Sequence, residues 1–99
     1  VELKTVTLVL SHFWFDQIYA GFKTVEYRTR CHKWQKQIIE KKPQKVVFSK
    51  GYSAVKIECM IEKIDIGPCP YIGWSGDFIR IHFTKLSKGE SKTIYQPEL

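Results

Sequence analysis

The residues best suited to chemistry stand in one stretch, Gly21-Phe22-Lys23-Thr24-Val25-Glu26-Tyr27-Arg28. A carboxylate two residues from a guanidinium, with an ammonium close by, can grip a phosphate or a base carbonyl. Arg28 would act as a planar fork and Lys23 as a point charge. Glu26 keeps both cations ionised, fixes their orientation and can accept a hydrogen bond from an exocyclic amine. Were a ligand to displace Glu26 from one cation, the same groups could serve as base and electrophile, which makes Lys23 and Glu26 the catalytic pair of an enzyme reading. Strand side chains alternate faces, so Thr24, Glu26 and Arg28 share one face and Val25 and Tyr27 the other, with Lys23 at the turn. Turned outward, the charged face is ordinary solvated surface. Turned inward, it is a cluster costly to bury, serving either a ligand or an ion-pair network that ties helix to sheet.

Further candidates lie along the chain. Tyr52, after Lys50-Gly51, either stacks on a base at a cleft mouth or belongs to the core. Trp74, flanked by Gly73 and Gly76, suits an aromatic lid or a plain cover on a barrel end. Ser11-His12 would put a hydroxyl and an imidazole near the cleft, or simply cap a helix. His32, His82 and the cysteines Cys31, Cys59 and Cys69 show no metal-ligand spacing, so neither a metal site nor a cofactor is expected.

The elements that must position these groups read as follows. Leu3 to Leu10 is a β-branched strand buried on at least one face. Ser11 caps a helix over His12 to Ala20, closed by Gly21 in the position that favours φ > 0. Its i,i+4 pairs, Trp14 with Ile18 and Phe15 with Tyr19, make it an aromatic core plug. After the charged strand, Cys31 to Lys42 reads as a second helix, with Trp34, Ile38 and Ile39 as its apolar stripe and Pro43 as its stop. Strands follow at Lys45–Ser49, Ala54–Ile66 and Phe78–Thr84, the last with Ile79, Ile81 and Phe83 inward and Arg80 and His82 opposite. A parity slip near Glu62-Lys63 predicts a β-bulge bending the long strand. Gly67-Pro68-Cys69-Pro70 opens an 11-residue loop to Asp77. A polar turn at Ser87–Lys92 and a short edge strand at Thr93–Tyr95 close the chain. Five to six strands with two short helices inserted in the N-terminal half give an α+β fold, a small mixed β-barrel.

Length and charge bound the rest. Ninety-nine residues with 43% hydrophobic and 26% charged composition suit one globular domain spanning 1–99. No run approaches a membrane span and no signal-peptide pattern opens the chain; Val1 in place of an initiator Met reads as a trimmed start. The odd cysteine count argues for a reducing cytoplasm. Residues 1–50 hold 10 Lys/Arg against 4 Asp/Glu, and residues 51–99 hold 6 against 6. The excess lies mostly between Lys23 and Lys50, where Arg30, Lys33, Lys36, Lys41 and Lys42 form a surface for a polyanion, for an acidic protein partner, or merely a solvated helix.

The order strand, helix, then Gly-x-Lys-x-x-x-x-Arg entering a strand, met here as Gly21 to Arg28, resembles the ASCH domain of the PUA-like superfamily. The Lys-Thr-x-Glu-x-Arg form, Lys23-Thr24-Val25-Glu26-Tyr27-Arg28, is especially similar, and Val47-Phe48-Ser49-Lys50-Gly51-Tyr52 before a long strand is in keeping. The resemblance spans Leu3 to Phe83. It implies a PUA-like pseudo-barrel with a cleft lined by Lys23, Glu26 and Arg28, beside which Thr24, Lys50 and Tyr52 are further ligand-binding candidates, and a ligand that is RNA or a modified nucleoside. Some members with this motif are amidohydrolases that deacylate N4-acetylcytidine, and others are reported as ribonucleases. In the amidohydrolase pattern the motif Lys works with a Thr two residues before the Arg and with a later Glu. This chain keeps Lys23, has Glu26 at the Thr position, and offers only Asp77 between Gly67 and Phe78.

Overall fold

The computed structural model describes residues 3–85; the expected Ser87–Lys92 turn and Thr93–Tyr95 strand lie outside the described residues. β1 (Thr5–Leu10) alternates strictly, with Val6, Leu8 and Leu10 buried and Thr5, Thr7 and Val9 exposed, the two-residue period of a half-buried strand. The Ser11 hydroxyl accepts the Trp14 N–H and opens α1 (His12–Tyr19). Phe15 and Ile18 sink from it into the core, and Trp14 packs at the core border. Phe13 and Tyr19 are exposed, so the aromatic plug is narrower than the i,i+4 pairs predict. At the helix end Gly21 takes φ +88°. Its N–H donates to Ile18 O, and the Phe22 N–H donates to Gln17 O. This paired closure needs a residue that tolerates the left-handed region, and it swings the chain directly into Lys23 and β2 (Val25–Arg28).

The second helix departs from expectation. Only His32–Trp34 (α2) is α-helical, and it continues as a π-helical segment, Gln35–Glu40, in which the Lys41 N–H donates five residues back to Lys36 O. The wider turn re-phases the apolar stripe: Ile38 is fully buried while Trp34 and Ile39 stay partly exposed at the core border.

β3 (Lys45–Lys50), β4 (Lys56–Pro68) and β5 (Asp77–Lys85) complete a five-stranded sheet of order β1-β3-β4-β5-β2, with β1 and β3 parallel and the other pairs antiparallel. The register slips between Ile61 and Lys63, the bulge that the parity change predicted. The sheet curls into a half-barrel, and its two edge strands approach closely enough for Arg28 of β2 to donate to the Val9 carbonyl of β1 at 3.1 Å. Inside the curl sit Leu8, Val46, Phe48, Ile57, Ile79 and Ile81, each fully buried.

β4 also runs further than expected. Gly67 and Pro68 pair with Phe78 and Asp77, so the irregular loop is Cys69–Gly76. Pro68 ends the strand, where a missing N–H costs little. A Cβ at Gly67 would lie 2.5 Å from the Arg80 Cζ, so any larger residue there has to displace the Arg80 guanidinium.

Candidate functional site

The charged face of β2 points inward. Across the ladder Glu26 pairs with Ile81 and Arg28 with Ile79, both core residues, so alternation carries the two charges towards the interior. Glu26 is 5% exposed and Lys23 is 8% exposed. One Glu26 oxygen accepts from Lys23 Nζ at 3.0 Å; the other accepts from Arg28 Nε at 2.9 Å and lies 2.8 Å from its Nη2. Arg28 Nη1 donates to no acceptor among the described residues. The cluster thus carries a net positive charge with one guanidinium nitrogen to spare.

Aromatic side chains enclose these ions. Lys23 Nζ lies 4.5 Å from the Trp14 ring, 5.1 Å from Tyr71 and 5.6 Å from Tyr27, and it donates to the Tyr71 hydroxyl at 3.0 Å. Ring faces attract a cation and compensate part of its lost hydration. Tyr71 stacks on Trp14 with centroids 4.9 Å apart and meets Tyr27 edge-on at 5.3 Å. Arg28 lies over Trp34 at 5.1 Å. Burial, with Cys69 and Tyr71 close by, pushes the Tyr27 hydroxyl above its ordinary pKa, which keeps it a neutral donor and acceptor.

A cavity of about 450 Å³ opens beside this network, between the two sheet edges. Glu26, Arg28, Ser11 and Thr29 supply its polar lining. Its aromatic lining includes Trp14 from α1, Trp34 from α2 and Trp74 from the Cys69–Gly76 loop, which are all the tryptophans in the chain. Three planar rings around a carboxylate and a guanidinium are suited to a flat, hydrogen-bonding ligand.

The other predicted residues fall in different places. Thr24 is exposed and lines a neighbouring cavity beside Lys23. Lys50 is engaged elsewhere, 3.1 Å from Asp16 and 5.9 Å from the Phe15 ring. Tyr52 is 98% exposed at the turn after β3, so it is no core ring, and it lines neither cavity. His12 sits beside Gly51, and Asp77 is exposed at the start of β5. Arg30, Lys33, Lys36, Lys41 and Lys42 are all exposed. Lys33 Nζ lies 4.6 Å from the Trp34 ring, which joins the basic helix to the cavity wall. Trp74 packs against Tyr71 and Phe78.

A second charged cluster occupies the opposite face of the sheet. Arg80 grips Asp65 through Nε at 2.7 Å and Nη2 at 3.0 Å, and His82 Nε2 lies 3.2 Å from the same carboxylate. The Arg80 guanidinium, helped by His82, holds the Asp65 carboxyl far below the usual range. Among the described residues no three His, Cys, Asp or Glu side chains gather as metal ligands, and no helix is long and apolar enough to cross a membrane.

No protein-family model, curated protein or solved structure matches this chain.

What the residue pattern missed was the company that the motif keeps. Tyr71 lies 48 residues from Lys23 in sequence, and no local signal in its loop ties it to the motif. Trp14 and Trp34 read as core stripes, and their apolar spacing is indeed that of half-buried helix faces. The one available signal was that two large indoles, Trp14 and Trp34, flank a motif already rich in charge.

Proposed function

We propose that this domain binds single-stranded RNA or a nucleoside in the manner of an ASCH-type module, holding one base in the tryptophan-lined cavity. The carrying observation is the convergence of Trp14, Trp34 and Trp74 on the buried Lys23–Glu26–Arg28 network. The base stacks on indole faces. Its exocyclic amine donates to Glu26, and a ring carbonyl accepts from Arg28 Nη1. Stacking of this kind contributes roughly 1–3 kcal/mol per base, and a volume of about 450 Å³ falls in the usual range for small-ligand sites. The exposed Arg30, Lys33, Lys36, Lys41 and Lys42 take the flanking phosphates. The likeness of Gly21 to Arg28 to the ASCH motif supports the same reading.

Binding is favoured over hydrolysis by how the candidate catalytic groups are engaged. Lys23 is held by Glu26 and Tyr71, and Glu26 by both cations, while Asp77 lines neither cavity. A titration with short single-stranded RNA at two salt concentrations tests the proposal, with RNA integrity followed in the same tubes. Removing Lys36, Lys41 and Lys42 together should make the slope of log affinity against log salt shallower by about 2. Arg28→Ala should weaken binding at every salt concentration. An unchanged slope and unchanged affinity in both variants would overturn the proposal, and cleavage lost in Lys23→Ala would replace it with the hydrolase reading.

A further inference from the structure

A second cavity adjoins the first. About 330 Å³ in volume, it is lined by Phe22, Gln17, Thr24 and Lys23 together with Trp14 and Tyr27, and these last two also line the tryptophan-rich cavity. The two therefore lie in succession along β2, one against Lys23 to Val25 and the other against Glu26 to Thr29. Phe22 is 81% exposed, a large ring held out by the Gly21 closure with none of the ring contacts that its neighbours make. An aromatic face left to water beside a half-polar cavity is a stacking platform. The side chains of Gln17 and Thr24 have no hydrogen-bond partner among the described residues, and between them they can donate to or accept from any base edge.

Resting on the reading of the first cavity as a base site, we infer that this second cavity takes the neighbouring nucleotide. The unit that the domain recognises is then a dinucleotide step, with one base over Phe22 and the other among the tryptophans. Trp14 and Tyr27 form the partition between them. Gln17 and Thr24 read the second base loosely, because an amide and a hydroxyl each both donate and accept. Preference at that position is therefore weaker than at the position facing Glu26 and Arg28.

The experiment measures affinity for the four nucleoside monophosphates, for dinucleotides of all base combinations and for trinucleotides, using parent protein and Phe22→Ala. Phe22 is exposed, so its removal leaves the fold intact, which a thermal melt verifies. The best dinucleotide should bind at least about tenfold more tightly than the best mononucleotide, the gain expected of one stacked base. Phe22→Ala should abolish that gain, and a third nucleotide should add less than the second. Mononucleotide binding without a dinucleotide gain, or a gain that survives Phe22→Ala, overturns the inference while the base site stands. No binding by any of these ligands overturns both.

Discussion

Replacing Glu26 by Gln removes the only negative charge between Lys23 and Arg28 while keeping the side chain's shape. Glu26 is 5% exposed and Lys23 is 8% exposed, so water screens the cations left around that position only weakly. Breaking a buried pair from one side costs about 3–5 kcal/mol. Here the loss is softened: the Lys23 ammonium keeps the Tyr71 hydroxyl and the Trp14 ring, Arg28 keeps the Val9 carbonyl, and Gln still accepts one hydrogen bond. The expected loss therefore falls below that range, at about 2–3 kcal/mol. In a chain of this size that lowers Tm by roughly 10–20 °C. Urea unfolding measures it as a shift in midpoint at unchanged m-value. The triple variant Lys23→Met/Glu26→Leu/Arg28→Met should recover more than half of the loss, because apolar side chains of similar volume replace all three ions without leaving a charge unpaired. A Glu26→Gln change below about 0.5 kcal/mol, the ordinary size of a surface substitution, would refute the reasoning and mean that the charged face behaves as solvated surface.

On the opposite sheet face, Gly67→Ala should cost up to about 1 kcal/mol by pushing the Arg80 guanidinium off Asp65. Chemical denaturation should find the same substitution nearly neutral in an Arg80→Ala background. Asp65 is held below the ordinary carboxylate range by Arg80 and then His82. Its stabilising contribution is fully present above the unfolded-state value of about 3.9 and is lost as pH falls below it. Melts from pH 6 downward should therefore show a steeper acid loss in the parent than in Asp65→Asn. Alkylation followed by mass spectrometry should label Cys31 first: it is exposed, and the Trp34 amide and then the Thr29 hydroxyl lower its thiol. Cys59 should stay unlabelled until the protein unfolds, since burial pushes its thiol up to about 12.

Local rules carried the reading a long way. Strict alternation marked β1, Ser11 and Gly21 bounded α1, and a parity slip located the bulge in β4, because each is decided within a few residues. The motif could be found in the same way, but its orientation could not. Whether Glu26 faces water or core depends on the pairing of β2 with β5, whose residues lie more than fifty positions away (Val25 opposite His82). Tyr71 meets Lys23 through a loop whose course follows from how far β4 extends past Gly67. The π-helical turn after Trp34 escaped because the same 34/38/39 stripe satisfies an α-helix, and only packing against the curled sheet distinguishes the two. For that reason the tryptophan-lined cavity, which gathers side chains from α1, α2 and the Cys69–Gly76 loop, belongs to the tertiary fold and to no single segment.

Because every tryptophan of the chain lines that cavity, intrinsic tryptophan fluorescence reports on it with no added label. The most direct measurement follows this emission while a short mixed-sequence single-stranded RNA is added at low salt to the parent, to Trp74→Ala and to Arg28→Ala. A saturable change is expected in the parent, with weaker binding in both variants. Emission that does not saturate in the parent, or titration curves that the two substitutions leave in place, would contradict the base-site reading.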